Sequence, residues 1–342
     1  MIAIDRQRVR RILIIKLRAI GDVILSTVVT KNLRLAFPDA QIDFLTESPS
    51  KDIVTGNPFL NGVIIFDRRE TGSLELILRV RKRKYDLVID LFGNPRSAIV
   101  TLLSGARFRV GFDFRGRRHA YNIRVPSRGG SVHNTQFNLD AIQAIGVPVA
   151  DRSLHLGFDG EHDQDVEAFF DRNGLEGLIV GLATGGGWYT KRWPLDRFAE
   201  LADILNERHG ANIVLLWGPG QLDDARRIKS RMRHPAHIPP ATTLPQLGAL
   251  LRRCTLVIAN DSGPMHLATA VGTPVLGIFG PTSPALQGPY GEQHFTVRRE
   301  GLECLGCNLT KCTIGHLCMN ELTVDMVLGQ AEHLMKKNSI TA

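Results

Sequence analysis

The sequence predicts a two-domain α/β protein in which each domain is a parallel sheet wrapped by helices. Three observations carry this expectation. Apolar runs of strand length alternate with amphipathic stretches of helix length from Arg11 to Lys336, the pattern of parallel strands joined by helical crossovers. A Pro-containing connection, Gly146 to Arg152, divides the chain into expected domains 1–150 and 151–342. Each half carries a glycine-containing loop after its first strand, at the end of the sheet where such folds bind ligands.

In the first half, Arg11 to Lys16 (RILIIK) reads as a buried strand, followed by the loop LRAIGD (Leu17 to Asp22). Val23 to Phe37 has helical apolar spacing ended by Pro38. Strands at Ile42 to Thr46, Val63 to Phe66 and Asp86 to Phe92 follow, with a basic amphipathic helix at Leu74 to Lys84. Arg107 to Arg128 breaks the pattern with seven arginines, 107, 109, 115, 117, 118, 124 and 128, and reads as a candidate anion-binding surface. A helix from Asn134 to Ile145 leads into the boundary.

Alternation then restarts. A helix at Asp163 to Asn173, a strand at Leu178 to Leu182, and the loop Ala183 to Pro194 come first. Leu195 to His209 (helix), Asn212 to Trp217 (strand), Leu222 to Arg231 and Leu244 to Arg253 (helices) follow. They lead into LVIANDSGPMHLATAVGTPVLGIFGPTSP (Leu256 to Pro284), a strand, a polar turn, a short helix and a second strand from Val275 to Phe279. The last helix, about Val324 to Lys336, is expected as a cap, packing back on the N-terminal domain.

Composition narrows the class. Hydrophobic residues are 43% and charged residues 22% of the chain, which suits a globular enzyme and argues against disorder. The net charge of +8 favours an anionic partner. Nucleic acid is not expected, because the chain has no helix-turn-helix, finger or aromatic RNA-binding signature; a membrane surface or a phosphorylated sugar fits better. Ile12 to Ile15 is too short for a membrane span and poor as a signal-peptide core, so the chain is expected in the cytoplasm.

The candidate site residues cluster at loops. In the turn Asn260 to Gly263, Asp261 or Ser262 is expected to cap the following helix, whose free amides and dipole favour a phosphate. Gly263 permits close approach, and His266 lies one turn beyond Ser262. The loop ATGGGWYTKRWP (Ala183 to Pro194) offers Gly185 to Gly187 to wrap a diphosphate and Lys191 to neutralise it. A mobile turn with a solvated lysine is the plain alternative. Asp22 can serve as a general base, or simply as a helix N-cap. Asp163-Gln164-Asp165 reads as charge at a helix start. Cys304, Cys307, Cys312 and Cys318 with His316 are close enough to suggest zinc or a cluster, but match no standard signature. No metal and no cofactor is assigned to the reaction, and Cys254 is expected in the core.

With these pieces set out, the sequence resembles glycosyltransferase family 9, the ADP-heptose:lipopolysaccharide heptosyltransferases. The resemblance rests on RILIIKLRAIGDVILSTVVTKNLRLAFPDAQIDFLTE, KRWPLDRFAELADIL, LLWGPG and ANDSGPMHLATAVGTPVLGIFGPTSP, in that order along the chain. It implies a GT-B fold, two Rossmann-like domains facing each other across a cleft, the first for the acceptor and the second for the sugar nucleotide. It implies metal-independent, inverting transfer of heptose from ADP-heptose to the lipopolysaccharide inner core, at the cytoplasmic face of the inner membrane. Asp22 matches the proposed catalytic base. Thr184, Gly185, Lys191, Asp261, Ser262, Gly263 and His266 fall in the donor site, and Arg18, Arg115, Arg117 and Arg118 are expected to bind the anionic acceptor. Two rival readings remain at this point: a family member using another nucleotide sugar or glycan acceptor, and an inactive nucleotide-sugar-binding protein.

Overall fold

The structure is a computed structural model that describes residues 4–67, 69–70, 72–158 and 163–340. The apolar runs form strands in two six-stranded parallel sheets. In the first unit these are β1 (Arg11–Ile15), β2 (Gln41–Glu47), β3 (Gly62–Phe66), β4 (Leu87–Asp90), β5 (Phe108–Phe112) and β6 (Ile123–Val125), in the order β3-β2-β1-β4-β5-β6. In the second they are β7 (Ile179–Ala183), β8 (Asn212–Leu216), β9 (Ala236–His237), β10 (Leu256–Asn260), β11 (Val275–Phe279) and β12 (Phe295–Arg298), in the order β12-β11-β10-β7-β8-β9. Both orders reverse direction once, between β1 and β4 and between β7 and β10. At such a switch point the loops leaving two neighbouring strands diverge and open a crevice.

The units are Met1–Phe158 and Asp159–Ala342, so the boundary follows the Gly146 to Arg152 connection instead of lying within it. Hydrogen bonds explain the shift. The Asn32 side chain accepts from the amides of Ala150 (2.8 Å) and Asp151 (3.0 Å), and Lys31 pairs with Asp151 at 2.8 Å. Further on, the Gly157 amide donates to the Ile53 carbonyl at 2.7 Å. A Cβ at Gly157 would lie 1.9 Å from the Thr55 carbonyl oxygen, so only glycine lets the chain run this close.

Two further expectations change. The helix expected from Val23 begins at Ile20 and divides at Thr27 into Ile20–Ser26 and Val28–Ala36. The hydroxyls of Ser26, Thr27 and Thr30 each donate to a carbonyl three residues back, at 2.7 to 2.8 Å; such bonds compete with the helical ladder and bend it. The arginine-rich segment does not interrupt the alternation, since it contains β5 and β6. Val110, Phe112, Ile123 and Val125 are buried there, while Arg109 and Arg128 are structural: Arg109 donates to the carbonyls of Ala106 and Ala120, and Arg128 pairs with Asp140 at 2.6 Å.

The second unit's core surrounds Trp193, Phe198 and the strands. The final helix, Val324–Lys337, lays Val327, Leu328, Ala331 and Leu334 against β11, β12 and the helix Leu195–His209; its apolar face is thus used within its own unit. Asp163 caps the helix Gln164–Asn173, its Oδ1 accepting from the amides of Asp165 and Val166.

Candidate active site

In the second unit, β7 and β10 leave the sheet side by side. Asn260, the last residue of β10, ties their exits together: its Nδ2 donates to the Thr184 carbonyl at 2.7 Å and its Oδ1 accepts from the Trp193 amide at 3.1 Å. Trp193 is fully buried, and its Nε1 donates to the Leu322 carbonyl at 2.9 Å. The loop between these fixed points therefore has little freedom, and Lys191 lies two residues before the anchor.

Lys191 Nζ is 2.7 Å from Asp261 Oδ2, with the two side chains only 13% and 5% exposed. Thr282 Oγ1 donates to the same carboxylate oxygen at 2.6 Å, and the ammonium stands 4.6 Å from the Trp188 ring centroid. Lys191 is thus a paired, half-sequestered cation and not a solvated one. Breaking such a pair by removing one partner costs about 3–5 kcal/mol, because the other charge is left buried.

The cap expected at the next helix is absent. Ser262 occupies the N-cap position of Gly263–Ala270 without a side-chain cap bond, and Asp261 is engaged by Lys191 and Thr282. Pro264 takes the second helical position and has no N–H for a cap to accept. The Ser262 hydroxyl is buried with no hydrogen-bond partner. It stands beside the first turn of this helix, whose amides no side chain caps. His266 is buried one turn further.

The triple glycine differs from expectation. Gly185, Gly186 and Gly187 are not among the left-handed residues, so the alternating backbone of an anion-binding nest is not formed. Gly185 is small for another reason: a Cβ there would lie 2.3 Å from the Gln221 side chain, which also accepts from the Gly218 amide. Asn260, Thr282 and Gln221 were not singled out by sequence; Asn260 and Thr282 bond partners distant in the chain, and Gln221 packs against Gly185. Only the position of Thr282 within the GPTSP segment hinted at it.

In the first unit the crevice lies between β1 and β4. Asp22 is half-buried in the first turn of Ile20–Ser26, and its Oδ2 accepts from the Ala19 amide at 3.2 Å. It holds the helix start through one oxygen, and among the described residues Oδ1 has no hydrogen-bond partner. Lys16, not anticipated, is buried at the end of β1 and donates to the Leu91 carbonyl at 3.1 Å. Asp90 ends β4 fully buried, accepting from the amides of Phe92 and Gly93 and from Tyr121 Oη at 2.7 Å. Burial pushes its carboxyl above the usual range against these bonds. Tyr121 in turn lies over Gly111, where a Cβ would fall 2.4 Å from the ring. This strap fixes the preceding arginine loop.

Within that loop, Arg115 and Arg117 with His119 line a groove of about 390 Å³ whose other wall is Pro95, Ile99 and Leu102. Arg117 stacks on Phe114, 5.1 Å from its centroid. Arg118 is exposed outside this lining, and Arg18 is exposed on the loop after β1. Of the four acceptor candidates, Arg115 and Arg117 share this groove.

Cys304, Cys307, Cys312 and Cys318 line a cavity of about 240 Å³ with Thr190 and His316. Burial and the neighbouring thiols push Cys318 to about 11. Among the described residues no three His, Cys, Asp or Glu side chains are arranged to hold a metal ion. Cys254 is core, pushed to about 12 by burial.

Comparison with known proteins identifies the family and the fold. Residues 73–317 match the model of glycosyltransferase family 9 (heptosyltransferase). The chain is 29% identical over 280 residues to lipopolysaccharide heptosyltransferase 3 of Escherichia coli, covering 77% of this chain and 81% of that one. It superposes on a family 9 glycosyltransferase from Veillonella parvula with a TM-score of 0.87 at 24% identity, covering 98% and 99% of the two chains. An E. coli heptosyltransferase solved with ADP gives 0.73 at 21% identity, covering 95% and 99%. The two-domain fold is the GT-B fold of these enzymes, and the chain is a glycosyltransferase belonging to family 9, the heptosyltransferase family.

Proposed function

We propose that the protein moves a heptose from ADP-heptose to an anionic lipopolysaccharide core acceptor, with inversion at the sugar and without a metal, at the inner face of the inner membrane. The observation that carries this reading is the Lys191–Asp261–Thr282 network beside the uncapped helix start, at the β7/β10 switch point. It is a largely sequestered cation beside helix-start amides that no side chain caps, the chemistry that a nucleoside diphosphate requires. The names of the relatives support the choice of sugar and acceptor: a lipopolysaccharide heptosyltransferase in sequence, and in structure an enzyme solved with ADP.

In this mechanism the acceptor hydroxyl attacks the anomeric carbon on the face opposite the diphosphate. Asp22 Oδ1 takes its proton as the new C–O bond forms. The bond from the anomeric carbon to the β-phosphate oxygen breaks, and ADP departs with the electron pair. Lys191, the Ser262 hydroxyl and the first amides of Gly263–Ala270 stabilise the charge that develops on it. Gly263 lets the phosphate reach the backbone, while Thr184, Gly185 and His266 shape the donor seat. Arg18, Arg115, Arg117 and Arg118 offer cations to the acceptor's phosphates and carboxylates.

The test is mass spectrometry of the product formed from purified protein, ADP-heptose and defined core acceptors, with and without EDTA. A single added heptose in both conditions is expected. Transfer only from a uridine-linked sugar, or no transfer from any donor, would overturn the reading.

A further inference from the structure

We infer that the helices Ser73–Lys82 and Pro95–Leu103 of the first unit form a face that seats on an anionic lipid bilayer. Five of the large exposed apolar side chains lie here: Leu74 (70% exposed), Leu78 (57%), Ile99 (50%), Leu102 (47%) and Leu103 (41%). A soluble helix normally turns such residues inward, and these helices do so only along one stripe, with Leu76 and Val80 buried on the first and Ala98 and Val100 on the second. Leu74 and Leu78, four residues apart, form a second apolar stripe on the outward side. The two helices pack together, and Arg81 Nη1 reaches the Leu103 carbonyl at 3.4 Å, so their last turns lie side by side and both helices expose apolar side chains beside one another.

The charge around this face selects the occupant. Arg79, Arg81, Lys82 and Lys84 are all exposed on or next to the first helix, against two exposed carboxylates among the described residues there, Glu75 on the helix and Glu70 ahead of it. Apolar side chains ringed by cations match an anionic bilayer surface, where the apolar groups enter the headgroup boundary and each cation adds attraction to the lipid phosphates. A second copy of the chain would bring its own cations against these and be repelled. The face also continues into the groove already described, because Ile99 and Leu102 form the wall opposite Arg115, Arg117 and His119. A molecule whose lipid part lies in the bilayer would thus present its anionic part to that groove. This last step rests on the proposed lipid-linked acceptor; the binding face itself does not.

The test is co-sedimentation of the full chain with phosphatidylcholine vesicles, with and without phosphatidylglycerol, for the parent and for a Leu74→Ser/Leu78→Ser/Leu103→Ser variant. All three side chains are exposed and lie outside the groove, and circular dichroism with a thermal melt checks that the variant keeps the parental fold. Binding is expected only with the anionic vesicles, and weaker by about tenfold or more in the variant. Transfer to a water-soluble, deacylated core acceptor should stay at the parental rate, while transfer to a vesicle-embedded acceptor falls. Equal vesicle binding by variant and parent would overturn the inference, as would a parent that ignores anionic vesicles or a concentration-dependent dimer that the variant abolishes. Loss of transfer with vesicle binding intact would count against the proposed reaction and leave the face standing.

Discussion

The two crevices occupy the same place in two similar sheets, yet they are finished differently. At β7/β10 the charges are already paired: Lys191 is closed onto Asp261, and Thr282 completes the carboxylate. At β1/β4 the strap of Asp90 and Tyr121 is buried, but the groups proposed to meet a substrate are less engaged: Asp22 Oδ1 has no partner among the described residues, and Arg115 and Arg118 are exposed. The difference fits the two tasks. A leaving diphosphate needs preorganised, desolvated cations, whereas a base and an acceptor site need accessible lone pairs and adaptable charge.

The sharpest way to break the comparison is to remove the open carboxylate. Asp22→Asn keeps an oxygen for the Ala19 amide but loses the base, so kcat should fall on the order of 10²–10⁴-fold in steady-state assays with donor affinity unchanged; a variant within tenfold of the parent would remove Asp22 from that role. A second test separates the units by acid. His294, buried behind β11 where it accepts from the Val275 amide at 3.2 Å, is held down to about 4, first by burial and then by nearby Lys337. Its folded-state value lies below that of the unfolded chain, so its contribution is complete above about pH 6.5 and is lost as the pH falls toward 4. Between pH 7 and 4.5 the parent should lose about 2–3 kcal/mol more than His294→Gln, measured by urea unfolding; equal losses would contradict it. The smallest effect is expected at the carboxylate's second partner. Thr282→Val removes one hydrogen bond, leaves Asp261 holding Lys191 more strongly, and should weaken ADP binding about threefold to tenfold, whereas tighter binding would reverse the assigned sense of the network.

Much of this architecture was legible in the chain. Continuous apolar runs such as Leu256 to Ala259 and Val275 to Phe279 announce buried parallel strands, and long amphipathic helices such as Leu195–His209 need no tertiary information. The losses have physical reasons. β5 and β6 were hidden because Arg109 and Arg124 interrupt their apolar residues, although Val110, Phe112, Ile123 and Val125 keep the period of two. β9 and β12 are short edge strands. Asn94-Pro95 with Ser97, a capping box for the helix Pro95–Leu103, was readable and passed over. At the site, Lys191 and Asp261 were visible as residues but not as a pair, since seventy positions separate them. The Asp90–Tyr121 strap and the Thr282 bond were invisible for the same reason.

The division of labour between the crevices is tested most directly by calorimetric titration of ADP into the parent, Asp22→Asn and Lys191→Ala. Parental affinity in Asp22→Asn and an affinity lower by about tenfold or more in Lys191→Ala are expected, the latter matching the loss of a charge-assisted bond of about 1.5–3 kcal/mol. Undiminished binding in Lys191→Ala, or a loss confined to Asp22→Asn, would contradict the account.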